Sequence, residues 1–350
     1  MRIAHVLYSR GFAGSERSTA ESCLAQCADH DVLLVIRRDH RDRGGASILD
    51  HLDARVQVVE VTAHWRAQYR LQRELTAWRP DIVHAHLRRA TRLLAGCTLD
   101  AARVATLHLR INGPQFLQMD GLVCISPWQL DTIPAEYQGL KIMIRNSLLP
   151  HPRIDAARRV ALRAELGADA NTWLVGGVGR LARSKGWDIL IRAFRDAQLP
   201  GARLAILGEG RERARLARLA RGLNVALPGF RAQVKDYYQA FDLFVCPSRS
   251  EPMGRVIMEA LDAGTPVIAS DAKGPKEILA EYPGELVPIG DVRALAAALQ
   301  RAASAPRERL SVDLSAHHLE RVSQEMLKFY RDVIRNRNQQ RAATSAASSE

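Results

Sequence analysis

Two glutamates carry the chemistry that the sequence suggests first. Glu251 and Glu259 have seven residues between them, and Glu259 lies inside a predicted helix that begins just after Gly254. A glycine lets the backbone approach a ligand at the helix start. The N-terminus of a helix that follows a parallel strand attracts anions, because its N–H groups are free and its dipole is positive there. This set predicts a phosphate-bearing ligand whose hydroxyl groups donate to the two carboxylates.

The elements that must position these residues read as short buried strands alternating with helices. The apolar runs 243–246 and 266–269 predict two parallel strands, and the helix between them is predicted to pack through Val256, Ile257, Ala260 and Leu261. The same alternation continues through most of the chain. It predicts an α/β protein with doubly wound parallel sheets.

The 350 residues suit two domains of ordinary size. We expect a first domain at 1–148, a second at 149–315, a terminal helix at 316–338 that returns to the first domain, and a disordered tail at 339–350. Two helices should pack through regularly spaced apolar side chains. These are Trp65, Leu71, Leu75 and Trp78 in a helix over 64–78, and Val322, Met326, Phe329 and Val333 in the terminal helix.

The glutamate pair, followed by Gly264, Thr265 and Pro266, resembles the E-x7-E signature of the retaining glycosyltransferases of family 4. The likeness covers most of the chain and is strongest from 177 to 277. It implies a GT-B fold, in which two Rossmann-like domains face a cleft. The first domain would serve the acceptor and the second the nucleotide-sugar.

The resemblance also implies roles for individual residues. The stretch from Gly179 to Gly186 is similar to the family motif G-R-L-x-x-x-K-G, in which Arg180 and Lys185 neutralise the departing diphosphate. Glu251 would bind the donor sugar, Glu259 the ribose, and His108 the region of the reaction centre. The other expected donor-binding residues are Gly14, Gly179, Gly229, Phe230, Pro252, Met253, Gly254, Arg255 and Val256.

The activity implied is transfer of a hexose-type sugar, with retention of configuration and without a metal or other cofactor. A UDP-sugar is the first choice of donor and GDP-mannose the second. The acceptor would be an oligosaccharide or a lipid-linked sugar, in bacterial lipopolysaccharide or surface polysaccharide synthesis. Two positions depart from the family pattern, because Ala13-Gly14 and Lys273-Gly274 stand where the family commonly has paired glycines.

Three alternative functions remain open at this point. A sugar-nucleotide epimerase would share the fold, and a scaffold with a decayed site would keep it without turnover. Gly177, Gly179 and Ala182 also match the G-x-G-x-x-A fingerprint of NAD-dependent dehydrogenases, with Glu209 after the next strand. That fingerprint accounts for neither Lys185 nor the two glutamates.

The sequence offers candidate metal ligands but no recognisable nucleic-acid motif. Asp29-His30-Asp31 has the D-x-D form, and His84 and His86 should share one face of a strand, but neither set has a further ligand nearby. Cys23 and Cys27 are expected to pack within a helix. The net charge of +12 fits contact with an anionic membrane surface, whereas the 5% of aromatic residues is too few for nucleic-acid stacking platforms.

The first residues read as a strand without a signal-peptide pattern, and no apolar run reaches the roughly 18–20 residues of a membrane span. We expect a cytoplasmic protein in peripheral contact with the inner membrane.

Overall fold

The computed structural model describes residues 1–42, 44–62 and 66–347. The chain forms two compact units. The first contains Met1–Ser147 and the chain from Ser315 onward, and the second contains Leu148–Leu314.

The first unit is built on a parallel sheet of seven strands in the described residues. The strands are β1 (Arg2–Leu7), β2 (Asp31–Arg37), β3 (Gln57–Val61), β4 (Ile82–His86), β5 (Ala102–Leu107), β6 (Gly121–Cys124) and β7 (Leu140–Met143). Their order is β3-β2-β1-β4-β5-β6-β7. Because helices cover both faces, the central strands are almost continuously buried.

Helices of the first unit connect these strands and close the core. They are α1 (Gly14–Gln26), α2 (Ala67–Trp78), α3 (Leu87–Ala95) and the terminal helix, and a short 3₁₀ helix, Pro127–Thr132, follows β6. Leu71 and Leu75 of α2 are fully buried and Trp78 packs against the same core, as predicted. The predicted packing position Trp65 lies outside the described residues. Cys23 and Cys27 are buried between α1 and the sheet, which confirms the packing role.

The terminal helix packs on the sheet of the first unit through the predicted stripe. Phe329 and Val333 are buried there, and Val322 and Met326 lie at the margin of the same cluster. The approach is close at Gly121 of β6, where an added Cβ would stand 2.8 Å from Val333 Cγ2. A glycine at this position therefore lets the helix lie against the strand.

The terminal helix is longer than the sequence indicated. It spans Leu319–Ala347, so residues 339–347 are helical where a disordered tail was expected. No glycine or proline interrupts this stretch, and its arginine, glutamine and alanine residues have high helix propensity. Polarity alone was therefore a poor guide to the helix end.

The second unit holds a parallel sheet of six strands in the order β10-β9-β8-β11-β12-β13. Its elements, in chain order, are α4 (Ala156–Glu165), β8 (Trp173–Val178), α5 (Trp187–Ala197), β9 (Ala202–Leu207), α6 (Arg213–Leu219), β10 (Val225–Gly229), α7 (Val234–Ala240), β11 (Leu243–Cys246), α8 (Arg255–Asp262), β12 (Val267–Ser270), α9 (Lys273–Ile278), β13 (Glu285–Val287) and α10 (Val292–Ser304). The terminal helix, which belongs to the first unit, is numbered α11.

Both sheets are doubly wound and parallel, as the sequence predicted. Within the described residues, no helix combines the length and the apolar character needed to cross a membrane.

Candidate functional site

The second unit brings the predicted phosphate-binding loops together at one edge of its sheet. Strands β8 and β11 are neighbours, yet β8 connects onward to β9 on one side while β11 leads to β12 on the other. The loops after these two strands therefore diverge at a topological switch point, where open α/β sheets bind ligands. The first loop carries Arg180 and Lys185, and the second carries Glu251.

Backbone contacts fix the two loops against each other. Gly186 has a φ of +69°, and an added Cβ would lie 1.9 Å from the carbonyl oxygen of Pro247. The N–H of Arg249 donates to the carbonyl of Ser184 at 2.8 Å. The Arg249 guanidinium also binds both carboxylate oxygens of Asp188, at 2.8 and 2.9 Å. These contacts join the two loops into one platform.

Lys185 and Glu251 meet on this platform. The ammonium nitrogen of Lys185 lies 2.5 Å from Glu251 Oε2, and the two side chains are 20% and 11% exposed. The hydroxyl of Ser248 donates to the same oxygen at 3.4 Å. A cation and a carboxylate held side by side can receive a phosphate and a sugar hydroxyl at adjacent points.

Arg180 differs from Lys185 in its surroundings. Its side chain is exposed, and in the described part of the chain its guanidinium has no ion pair or hydrogen bond to protein. Its carbonyl accepts the indole N–H of Trp187 at 2.9 Å, which holds the backbone of the loop while leaving the guanidinium available. A forked guanidinium in this state suits bidentate contact with a diphosphate.

Glu259 is held from two sides in the first turns of α8. Arg255 Nε donates to its Oε1 at 3.2 Å, and the hydroxyl of Tyr238 donates to its Oε2 at 3.0 Å. The side chains of Arg255 and Glu259 are only 10% and 7% exposed. The carboxylate is therefore fixed in direction, with oxygen lone pairs left to accept from a ligand hydroxyl.

The start of α8 has the geometry expected of an anion site. Gly254 has a φ of +96° and precedes the first helical residue, Arg255. Met253 is buried and Val256 is partly buried, so both pack rather than project outward. The N–H of Gly274 donates to the carbonyl of Glu251 at 3.1 Å, which ties the loop to the start of α9.

Other predicted donor-site residues lie around the same sheet edge. Pro252 stands between Glu251 and the buried Met253. Gly179 has a φ of +151°, and its carbonyl oxygen would lie 2.1 Å from a Cβ at Gly208, so both positions require glycine. Gly229 ends β10 with a φ of +88°, and Phe230 follows it with 63% of its surface exposed. An exposed aromatic ring at a strand end can stack on a planar base.

His108 and Gly14 belong to the first unit. His108 follows β5, and burial lowers its pKa to about 4, so its ring is neutral at physiological pH. Gly14 begins α1, and no atom would lie within 4 Å of a Cβ added there. The N–H of Ala13 is bonded to Glu16 Oε2 at 3.1 Å, so a side chain of the helix itself caps this N-terminus.

The dinucleotide fingerprint does not have its required context. In that motif the glycines open a helix directly after the strand. Here Ala182 is followed by a 3₁₀ turn, Arg183–Lys185, and α5 begins only at Trp187. Glu209, the expected ribose ligand, pairs with Arg213 at 3.1 Å. The structure therefore does not favour the dehydrogenase interpretation.

The histidines of β4 share one face of the sheet, as their spacing predicted. The rings of His84 and His86 are stacked with centres 4.3 Å apart. With His5 of β1 they form a group of three potential metal ligands whose atoms lie within 4.8 Å. His5 and His86 are hydrogen-bonded to each other, and His84 is bonded to the hydroxyl groups of Tyr330 and Thr106.

Sequence reasoning missed Tyr238 and Asp188, which hold Glu259 and the Arg249 loop. Tyr238 lies on α7, and no periodic pattern links it to a residue of the next helix. The only local signal for the contact between Asp188 and Arg249 was the position of this acidic residue, directly after Gly186 and Trp187.

Comparisons with known proteins find glycosyltransferases. The family model "Glycosyl transferases group 1" matches residues 159–316. The chain is 31% identical over 279 residues to the lipopolysaccharide core biosynthesis glycosyltransferase LpsD of Rhizobium meliloti, which covers 76% of this chain and 77% of that protein. It is 30% identical over 230 residues to LpsE of the same organism, covering 64% and 65% of the two chains.

Solved structures show the same fold. Anabaena HepE, crystallised with UDP and glucose, matches with a TM-score of 0.75 and 22% identity, over 99% of both chains. Sucrose-phosphate synthase of Thermosynechococcus elongatus matches with a TM-score of 0.76 and 22% identity, over 96% of this chain and 99% of that one.

Proposed function

The chain belongs to the group 1 glycosyltransferases and has their GT-B fold, and from this membership and its site we propose that it transfers a hexose from a nucleoside-diphosphate donor with retention of anomeric configuration. The observation that carries the proposal is the platform in the second unit. There an available guanidinium and a lysine paired with a glutamate lie on the loops after two neighbouring strands, and a second, fixed glutamate lies in the first turns of the helix that follows.

Departure of the diphosphate is the step in which the protein must stabilise the most charge. The bond between the anomeric carbon and the phosphate oxygen breaks, and negative charge grows on that oxygen. Arg180 and Lys185 would stabilise this charge as fixed cations, which is the task a metal ion performs elsewhere. We therefore propose a metal-independent transferase.

Retention follows from attack on the same face of the sugar. The acceptor oxygen forms the new bond to the anomeric carbon, and its proton passes to the departing phosphate oxygen. Glu251 is bound to Lys185 at 2.5 Å, so we assign it to orienting the donor sugar and not to forming a covalent intermediate.

We assign nucleotide binding to Glu259, through the ribose, and to Gly229 and Phe230, through the base. A UDP-sugar is the first candidate donor, because the fold neighbour HepE binds UDP, and GDP-mannose is the second. His108 and Gly14 are assigned to donor binding from the family resemblance alone.

The acceptor we propose is a growing oligosaccharide or lipid-linked sugar of bacterial lipopolysaccharide or surface polysaccharide. The names of LpsD and LpsE support this assignment, and both were matched over most of their length. The net charge of +12 supports work at an anionic membrane surface, in peripheral contact with the cytoplasmic face.

Product analysis tests the proposal. The purified protein is incubated with a UDP-hexose panel and GDP-mannose, a deacylated core oligosaccharide and either EDTA or Mg²⁺. We expect one new glycoside with the donor's anomeric configuration, free nucleoside diphosphate in equal amount, and the same rate under both conditions. An epimerised donor without a new glycoside, an inverted product, or activity only with Mg²⁺ would each contradict the proposal.

A further inference from the structure

The first unit contains a buried chain of histidines that the proposed chemistry does not explain. His5 of β1 stands beside His84 of β4 in the strand register, and His86 lies two residues further along β4. The three side chains are between 0% and 4% exposed. The ring of His86 lies 5.2 Å from that of His5 and 6.0 Å from that of His108. The histidines thus connect the interior of the sheet to its carboxyl edge.

All of these rings are neutral. Burial lowers the pKa of His5 and His108 to about 4 and lowers those of His84 and His86 well below the ordinary value. A neutral imidazole has one N–H donor and one acceptor nitrogen. The hydrogen bonds of each ring therefore determine which nitrogen carries its proton.

The bonding pattern fixes two tautomers in sequence. His5 Nε2 lies 2.8 Å from Oε1 of the Gln26 side chain, so His5 donates there and its Nδ1 must accept. His86 Nε2 lies 3.0 Å from that Nδ1 and supplies the proton. The lone pair of His86 consequently falls on Nδ1, which needs a donor.

Both ring nitrogens of His84 have hydrogen-bond partners outside the pair formed by His5 and His86. Its Nδ1 lies 2.6 Å from the hydroxyl of Tyr330 on α11, and its Nε2 lies 2.7 Å from the hydroxyl of Thr106 on β5. A metal ion among the three histidines would have to replace these bonds as well as the bond between His5 and His86. The hydrogen-bonded arrangement is therefore preferred to a metal site.

A small cavity is lined in part by residues with buried polar atoms that have no hydrogen-bond partner among the described residues. It has a volume of about 20 Å³, and His86, His108 and Ser323 are among its lining residues. His86 Nδ1, His108 Nε2 and Ser323 Oγ are buried, and each lacks a hydrogen-bond partner in the described part of the chain. One water needs roughly 10–15 Å³ and two to four polar partners. The cavity meets both conditions.

We propose that this cavity holds one ordered water bonded to His86 Nδ1, His108 Nε2 and Ser323 Oγ, and that His86 is thereby a positioning residue that fixes the tautomer of His108. The water donates to His86 Nδ1, and its remaining bonds hold the other two atoms. Only the catalytic meaning of His108 rests on the proposed function; the water and the tautomers do not.

Nitrogen NMR of the full chain labelled with ¹⁵N-histidine tests the proposal without an activity assay. Long-range proton–nitrogen spectra show which ring nitrogen carries the proton. Between pH 6 and pH 8 we expect His5 and His86 to be protonated at Nε2 and His108 to occupy a single tautomer. Protonation of His86 at Nδ1 would overturn the proposal.

Two substitutions separate positioning from packing. His86→Gln can keep the bond to His5 but removes the acceptor at the Nδ1 position, whereas His86→Asn keeps a polar atom near Nδ1. We expect His108 to become a mixture of tautomers in the glutamine variant and to keep one tautomer in the asparagine variant. His318→Asn, outside the cavity, is the control.

If His108 gives the same spectrum in both His86 variants as in the parent, the positioning role is wrong. If the glutamine variant does not fold, the parent spectrum and the Ser323→Ala variant still test the proposal. Ser323→Ala removes one hydrogen-bond partner of the water. One equivalent of zinc in the purified protein, lost in His86→Gln, would replace the water by a metal ion and overturn the proposal.

Discussion

Replacing Lys185 with methionine is expected to lower kcat about 100- to 1000-fold, the usual loss when one fixed electrostatic contact to a transition state is removed. Methionine keeps most of the aliphatic stem and removes only the charge. The lysine charge stabilises a negative charge that develops only during bond cleavage. Its loss should therefore lower kcat more than it raises the donor KM. Steady-state kinetics with saturating acceptor measure both.

The ion pair with Glu251 adds a cost in stability that must be separated from catalysis. The Glu251 carboxylate is 11% exposed and loses its partner in the variant, so we expect about 1–3 kcal/mol of destabilisation. Lys328→Met, an exposed lysine on α11, is the control for the same change elsewhere. A kcat within threefold of the parent for Lys185→Met would remove Lys185 from the reaction.

Replacing Glu259 with glutamine is expected to weaken nucleotide binding about 10- to 100-fold and to leave kcat nearly unchanged. A hydrogen bond to a charged group contributes roughly 1.5–3 kcal/mol, which corresponds to this range. The ribose contact exists equally in the ground state and the transition state, so its loss raises KM alone. Calorimetric titration with the free nucleoside diphosphate should show the same loss.

Tyr238→Phe is the matched control for Glu259. It removes only the hydroxyl that donates to Glu259 Oε2 at 3.0 Å, while Arg255 still holds Oε1. We expect a change of less than about threefold in nucleotide affinity. Equal affinity in the parent and in Glu259→Gln would show that Glu259 orders the second unit without binding the nucleotide.

The sequence was informative where one local signal determined one structural feature. Strand β11 has the predicted bounds, Leu243–Cys246, because Asp242 and Pro247 flank a run that is wholly apolar. At Gly254 the sequence predicted that the backbone could approach a ligand, and the residue has a φ of +96°, a conformation that favours glycine. The E-x7-E spacing predicted that Glu259 lies inside the helix that follows the Glu251 loop. It did not predict that Lys185 pairs with Glu251.

What the sequence could not supply depended on strand order and on contacts between distant segments. His5 meets His86 because β1 and β4 are neighbours, although 81 positions separate them in the chain. Tyr238 reaches Glu259 from another helix. The segment after β6 is a 3₁₀ helix, Pro127–Thr132, in which Gln129 Oε1 accepts from the N–H of Ile125, and only the structure shows this local geometry.

Nucleotide binding with and without a metal ion tests the central claim most directly. Thermal unfolding is measured with UDP, GDP, ADP and NAD, each in EDTA and in Mg²⁺. A ligand at 100 times its dissociation constant adds about 2.7 kcal/mol of stability, which a melting curve resolves. We predict stabilisation by UDP or GDP that is equal in EDTA and Mg²⁺. Stabilisation by NAD alone, or by a nucleoside diphosphate only when Mg²⁺ is present, would contradict the metal-independent transferase.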